Sequence, residues 1–339
     1  MAQEVILEIK NLDVRYTTLR GDVKAVNDVS LKIARGEVLG LAGESGCGKT
    51  TLGLTIMRIL PANGRIENGK ILFKGQDLTK VSEDDMRKIR WKEISMVFQG
   101  AMNALNPVIK VGDQVAEVLM LHEGMSKEEA LEIARDLFLQ VGLESGRINA
   151  YPHQLSGGMK QRVVIAMALA LKPSLVIADE PTTALDVTIQ AQIIELLKKL
   201  QSRFGLSFIY ITHDLAVLAE VSNKVAIMYA GYVMEYGDVV SIYKDPIHPY
   251  TKGLIGSVPS VTHVKKKKLF SIPGAPPDLR QLPPGCPFAL RCPKATDICR
   301  KELPAPESIN GRIVRCHYAD ELVGVSPEDL WLKIFEERG

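Results

Sequence analysis

Gly43, Gly48, Lys49 and Thr50 stand in the order Gly-x-x-x-x-Gly-Lys-Thr, a spacing suited to holding phosphate. Its glycines, Gly46 included, let the backbone turn tightly and aim N–H groups at phosphate oxygens, and a helix starting there adds its positive end. Lys49 is placed to hold the β- and γ-phosphates, and Thr50 to set its hydroxyl on Mg²⁺. Farther along, the apolar run Leu175 to Ala178 ends in Asp179-Glu180. At the carboxyl edge of a parallel sheet the first carboxylate can reach the magnesium shell, and the second can polarise or orient an attacking water. Together these residues predict hydrolysis of a nucleoside triphosphate.

Between the two motifs lies Leu155-Ser156-Gly157-Gly158-Met159-Lys160, ahead of a helix expected from Met159 to Leu171. The N–H groups and hydroxyl of Ser156, Gly157 and Gly158 would make a second anion site, although Ser156 also reads as an ordinary helix N-cap. One chain cannot easily close both sites on one nucleotide. A head-to-tail pair can, with each chain lending its Ser-Gly-Gly to the phosphate loop of the other. His213 follows the strand Phe208 to Thr212 and so should also reach the sheet's carboxyl edge, where it could bond the γ-phosphate; a lone histidine is more often structural. Gln99 closes the strand Ile94 to Phe98, where its amide could sense magnesium or water while moving whatever follows.

The elements that must position these groups follow from periodicity. Val5 to Ile9, Leu12 to Tyr16 and the alternating Val29, Leu31 and Ile33 read as strands. Val38 to Ala42 is a short apolar strand running into Gly43, and Lys49 to Leu60 reads as a helix closed by Pro61. Residues 104–165 carry helical periodicity over Lys110 to Glu123 and Ser126 to Val141, with a capping box at Ser126 and Glu129 and a terminating Gly142. This is a helical insert in an α/β core. Leu185 to Leu200 then reads as a helix between two strands, implying a parallel sheet, and Val225 to Tyr229 with Tyr232 to Glu235 as a hairpin around Ala230-Gly231.

At 339 residues the chain exceeds one domain of about 150 residues, and 46% hydrophobic against 24% charged residues suits a globular core. A net charge of +2 does not argue for nucleic acid, and the Lys265 to Lys268 run reads as a solvated linker. The longest apolar stretch, Val163 to Leu171, is far short of the roughly 18 residues that span a bilayer. No secretory signal is expected at the start, and a cytoplasmic location follows as the simplest expectation.

After residue 244 the composition shifts to proline, and four of the five cysteines, Cys286, Cys292, Cys299 and Cys316, fall within this loop-rich appendix. It holds few apolar residues for a core, so a metal centre is the expected staple in a reducing compartment. Four thiolates suit zinc or an iron-sulfur cluster, and the close Cys-x2-4-Cys pairs usual for zinc are missing. Cys47, inside the phosphate loop, reads as unpartnered and inert.

These motifs, in this order over residues 4 to 260, resemble the ATP-binding cassette (ABC) family. The resemblance implies a P-loop NTPase, RecA-like α/β core with an antiparallel β subdomain and a helical insert, occupying residues 1–244, and a C-terminal extension over 245–339. It implies ATP and Mg²⁺ as cofactors, nucleotide contacts from Tyr16 on the adenine and from Gly43, Glu44, Ser45, Gly46, Cys47, Gly48, Lys49, Thr50 and Thr51, and an opposing contact from Ser156, Gly157 and Gly158. Magnesium would be held by Thr50, Gln99 and Asp179, with Gln99, Glu180 and His213 as the catalytic set and Asp186 at the dimer contact. Met159, where many cassettes carry Gln, should tune this contact without abolishing it.

The phrase Phe98-Gln99-Gly100-Ala101-Met102-Asn103-Ala104-Leu105-Asn106-Pro107 and the segment His248 to Leu254 look like the importers of oligopeptides, dipeptides and nickel. Some oligosaccharide importers share them, which leaves the cargo open. The cysteine segment resembles the tail of dipeptide importer ATPases, for which a 4Fe-4S cluster is the implied ligand, with zinc as the alternative. The implied partners are two membrane permease subunits, an extracytoplasmic substrate-binding protein, and a second cassette, identical or related, at the cytoplasmic face of the membrane. A cassette acting on nucleic acid or ribosomes would carry a second cassette or a coiled-coil insertion, and neither is present. A redox or metal sensor built on the cysteine appendix is the third reading.

Overall fold

A computed structural model describes residues 4–100, 103–257 and 271–331. Ala101 and Met102 of the importer-like phrase, and the Lys265 to Lys268 run, lie outside the described residues. The chain divides into two compact units that alternate along the sequence: Leu7–Lys32, Leu39–Leu72 and Thr212–Gly339 form one, and Met1–Ile6, Ile33–Val38 and Phe73–Ile211 the other. We call them the phosphate-loop unit and the acidic-strand unit.

The phosphate-loop unit contains most of β1 (Val5–Thr18) and β2 (Gly21–Ala34). The sequence suggests two short strands where β1 runs unbroken. Asn11 adopts a left-handed conformation (φ 45°), its N–H donates to Ser30 Oγ at 2.9 Å and its side-chain amide to Asp28 Oδ1 at 2.9 Å. Asparagine tolerates that conformation, so the strand absorbs the irregularity. The wholly buried β3 (Val38–Ala42) leads through the glycine loop into α1 (Lys49–Ile56). This helix stops four residues before the expected Leu60, because Arg58 turns left-handed (φ 51°) and Ile59 N–H bonds back to the Leu54 carbonyl at 3.0 Å. Next, β4 (Gly64–Phe73) lies beside β1, giving the order β2-β1-β4.

The acidic-strand unit holds β5 (Gln76–Asp77), α2 (Glu83–Ile89), β6 (Ile94–Val97), α3 (Val111–Glu123), α4 (Lys127–Gln140), α5 (Gly157–Leu169), β7 (Leu175–Asp179), α6 (Val187–Phe204) and β8 (Ser207–Ile211). Strands β6, β7 and β8 run parallel, with Val97 against Ala178 and Asp179 against Ile211. All three are buried along their whole length, as continuous apolar runs covered on both faces require. The helical insert forms as expected: Ser126 and Glu129 make a reciprocal capping box on α4, and Gly142 turns left-handed (φ 74°) just past its end.

The chain then re-enters the phosphate-loop unit through α7 (Leu215–Val221), β9 (Lys224–Tyr229), β10 (Tyr232–Asp238), α8 (Val239–Lys244), α9 (Pro249–Gly256), α10 (Asp297–Lys301), β11 (Glu307–Ile309), β12 (Arg312–Val314) and α11 (Ala319–Leu322). Strand β9 runs parallel to β3, and β9 and β10 form the expected hairpin, turned by Ala230 and Gly231 at positive φ. The cysteine segment departs from expectation. Far from lacking a core, it adds β12 antiparallel to β10, pairing Val314 with Glu235. Ile247, Ile309, Val314, Ala319 and Leu322 cluster as a small core, and Phe288 is fully buried among Tyr229, Tyr250 and Trp331, with ring centroids 5.2, 5.2 and 6.3 Å away. Buried cations add hydrogen bonds. Arg315 donates to the Pro304 carbonyl and Asp28, and Lys252 to the Pro246 and Val325 carbonyls. A strand edge, an aromatic cluster and hydrogen-bonded buried cations hold this segment, so it does not need a metal to explain its order.

Candidate functional site

The phosphate loop turns from β3 into α1 as the glycine spacing demands. Gly43 (φ 145°) and Gly48 (φ 106°) sit where backbone crowds them: a Cβ would come within 2.1 Å of the Met228 carbonyl oxygen and 2.2 Å of the Ala25 carbonyl oxygen. Only glycine fits there. Lys49 is buried, its ammonium donating to the Gly43 carbonyl at 2.7 Å and the Glu44 carbonyl at 3.1 Å, with Cys47 Sγ 3.6 Å away. The lysine is held by the loop it belongs to. Burial disfavours the Cys47 thiolate and pushes its thiol above its ordinary pKa. Ser45, Gly46 and Thr50 are exposed, and Thr51 accepts a hydrogen bond from the Tyr16 hydroxyl at 3.3 Å, which brings Tyr16 to the first turn of α1.

In the acidic-strand unit Asp179 ends β7 at 1% exposure. Glu180 follows in a left-handed conformation (φ 45°) and its N–H donates to the Ile211 carbonyl at 2.9 Å. A non-glycine residue held there carries strain of about 1–3 kcal/mol, the kind of cost found where function fixes a side chain. The Gln99 amide donates to Glu180 Oε2 at 3.1 Å, and the Thr183 hydroxyl donates to the same oxygen at 2.7 Å. Gln99 and Glu180 are thus brought together from the ends of adjacent parallel strands. Ser156 and Asp186 are engaged in capping: Ser156 Oγ accepts from Met159 N–H at 3.4 Å on α5, and Asp186 Oδ1 accepts from Ile189 N–H at 2.9 Å on α6. Gly157 forms the exposed first residue of α5, with Gly158 buried behind it. His213 is exposed just ahead of α7, whose N-cap is Asp214.

One unit thus holds a strand-loop-helix suited to a nucleotide's phosphates, and the other an oriented glutamate at a parallel strand end. Residues 26–183 match the family model described as ABC transporter, and residues 234–299 match the oligopeptide/dipeptide transporter C-terminal region. The chain is 49% identical over 304 residues to the dipeptide transport ATP-binding protein DppD of Bacillus subtilis (strain 168), covering 89% of this chain and 90% of that protein. The chain belongs to the ABC transporter family. A second relative, the oligopeptide transport ATP-binding protein OppD of Escherichia coli (strain K12), is 47% identical over 92% of this chain and 93% of its own length. Among solved structures, the dimeric post-hydrolysis state of the ATP-binding cassette MJ0796 bound to ADP and Pi aligns at TM-score 0.62 and 31% identity, over 69% of this chain and 98% of that one. As an ABC ATPase the chain binds ATP, and hydrolysis is its expected activity. Among the described residues, no helix is long and apolar enough to cross a membrane.

Cys286, Cys292, Cys299 and Cys316 of this ABC ATPase line one small cavity, with His248, Phe288 and Tyr318 also in its wall. Yet among the described residues no three His, Cys, Asp or Glu side chains are grouped so as to hold a metal ion. Without a metal, burial disfavours the thiolates and pushes the Cys286 thiol up to about 12, the Cys316 thiol up to about 11 and the Cys292 thiol higher still. His248 is fully buried and neutral, its pKa lowered by burial to about 3, and its Nδ1 accepts from Tyr250 N–H at 3.0 Å as the cap of α9.

Three contacts escaped the sequence reading. Thr183 bonds the glutamate, and its place three residues after Glu180 offered a signal in the Thr182-Thr183 pair. Tyr250 accepts a hydrogen bond from Glu44 N–H at 2.9 Å, and Arg291 grips the Glu44 carboxylate. A carboxylate inside an anion-binding loop calls for a cation, but nothing local says which one.

Proposed function

We propose that this ABC ATPase powers import of oligopeptides or dipeptides through partner membrane subunits. The observation that carries the ATPase half is the phosphate cradle, glycines fitting only as glycine beside a buried Lys49. The cargo rests on the relatives, named for dipeptide and oligopeptide transport at 46 to 50% identity. Residues 1–244 serve as the ATPase domain, with the insert at 104–165, and 245–339 as an extension packed on the β10 edge.

In this reading Gly43 to Thr51, Glu44, Ser45 and Cys47 included, surround the phosphates, Tyr16 stacks on the adenine, and Lys49 leaves its loop carbonyls for the β- and γ-phosphates. Mg²⁺, when bound, neutralises phosphate charge; the exposed Thr50 hydroxyl, the Asp179 carboxylate and the Gln99 amide are the oxygen donors a hard cation prefers. Glu180 orients the attacking water, held in its rotamer by Gln99 and Thr183, and His213 bonds the γ-phosphate. Ser156, Gly157, Gly158 and Asp186 meet the nucleotide and loop of a second cassette, identical or related, and the insert passes the motion to two permeases at the cytoplasmic face. An extracytoplasmic binding protein selects the cargo.

For the cysteine cavity we propose a 4Fe-4S cluster, with zinc as the alternative. Four soft donors converging on one cavity support it, and a cluster that takes one thiolate per iron accepts sulfurs more widely spread than a single zinc ion, which needs each within about 2.3 Å. Such a group would supply charge to offset four thiolates. Brown colour after anaerobic preparation, lost in Cys299→Ser, is expected; colourless protein with stoichiometric zinc overturns the cluster.

The transport reading is tested by co-purification with the two permeases and by ATPase activity stimulated by peptide-loaded binding protein. Stimulation by nickel or an oligosaccharide instead would reassign the cargo. Recovery with DNA or ribosomes and no permease would refute the importer.

A further inference from the structure

Glu44 places a carboxylate inside a loop whose work is to bind a polyanion. The conflict is resolved within the same unit by the C-terminal extension. Arg291, its side chain 5% exposed, donates from Nη1 to Glu44 Oε2 at 2.6 Å and from Nη2 to Oε1 at 2.8 Å, a bidentate pair. The guanidinium is itself held: Nε donates to the Pro273 carbonyl at 2.9 Å, Nη1 also to the Tyr229 hydroxyl at 3.2 Å, and the group lies over the Tyr229 and Phe288 rings. Every polar part of Glu44 is tied down, its N–H to Tyr250, its carbonyl to Lys49 and its carboxylate to Arg291.

We propose that Arg291 is a positioning residue for ATP binding, which neutralises and fixes Glu44 so that the phosphate loop can accept a triphosphate. The inference rests on the nucleotide role proposed for residues 43–51. Arg291 touches no nucleotide in this scheme. It acts through Glu44, so the affinity of the loop for ATP depends on the docked C-terminal extension. Alternatively, the ion pair would only fasten the extension, and then Glu44→Gln alone, which breaks the same pair, would weaken ATP binding as much as Arg291→Ala does.

A double-mutant cycle on the full chain separates these. ATP affinity is read by displacement of a fluorescent ATP analogue, and KM and kcat by steady-state hydrolysis. Arg291→Ala should weaken ATP binding about tenfold, through KM with kcat little changed, because an unpaired carboxylate then faces the phosphates. Arg291→Lys, keeping the charge and losing the fork, should recover about half of that loss on a logarithmic scale. In the Glu44→Gln background Arg291→Ala should change affinity less than about twofold, since the charge it offsets is gone. Glu44→Gln alone should keep parental affinity; a loss there matching that of Arg291→Ala, equal losses from Arg291→Ala in both backgrounds, or parental affinity in Arg291→Ala, overturn the proposal. Should Arg291→Ala fail to fold, the Lys variant completes the cycle with Glu44→Gln. Parent protein that binds no ATP, or a Lys49→Ala variant that binds as parent, would instead count against the nucleotide role of the loop.

Discussion

Replacing Glu180 by Gln removes one charge and almost no volume. The Thr183 hydroxyl that donates to Oε2 at 2.7 Å can donate equally to an amide oxygen, and the N–H bond to the Ile211 carbonyl is untouched. Local structure should therefore survive, and ATP affinity, which depends on the phosphate loop, should hold. What disappears is the group that orients and polarises water. Loss of such a base lowers turnover by about 10²–10⁴-fold, equivalent to about 3–5 kcal/mol of barrier at 1.36 kcal/mol per decade. Single-turnover hydrolysis by the assembled transporter, beside ATP binding measured on the same preparation, separates the two quantities. Bound ATP should persist and hold two cassettes together. Turnover within about threefold of the parent would refute the assignment of Glu180 and return its left-handed strain to a purely structural role.

Gly48→Ala should weaken ATP binding by about tenfold to 100-fold, since a Cβ 2.2 Å from the Ala25 carbonyl must displace backbone, whereas Gly46→Ala meets nothing within 4 Å and should lose less; nucleotide titration of both variants compares them, and equal losses would place the cost in φ alone. Thr183→Ala frees one side of Glu180 and should lower kcat about tenfold with KM unchanged, read by steady-state hydrolysis. Phe288→Ala empties a fully buried position among three aromatic rings and should cost about 3–5 kcal/mol in urea unfolding, and a loss under about 1 kcal/mol would mean that the extension is not held by its aromatic cluster.

The local parts of the site were legible in the sequence because their chemistry is consecutive. Gly43 to Thr50 encodes its turn, its donors and its helix start within eight positions, and Ser126 with Glu129 encodes a cap within four. Strands β3, β7 and β8 announced themselves as uninterrupted apolar runs. Boundaries were less readable where one residue takes an unusual backbone state. Asn11 continues a strand it would be expected to break, and Arg58 ends a helix that the following proline would have ended later. For Asn11 the conformation is tied to partners in β2, Asp28 and Ser30, 17 and 19 residues away.

The extension after residue 244 was misjudged for a related reason. Counting its own apolar residues suggested no core, but its core is shared: Phe288 packs on Tyr229 of β9 and Tyr250 of α9, β12 pairs with β10, and Arg315 reaches Asp28 from 287 residues away. A segment with a sparse composition becomes ordered when the surface it covers supplies the missing half of the contacts. That changes what the four cysteines must explain. Their convergence on one cavity is no longer required for the fold, so a bound cluster would have to be kept for what it does to the extension. Cys292 in that cavity's wall is the chain neighbour of Arg291, whose guanidinium holds Glu44 of the phosphate loop.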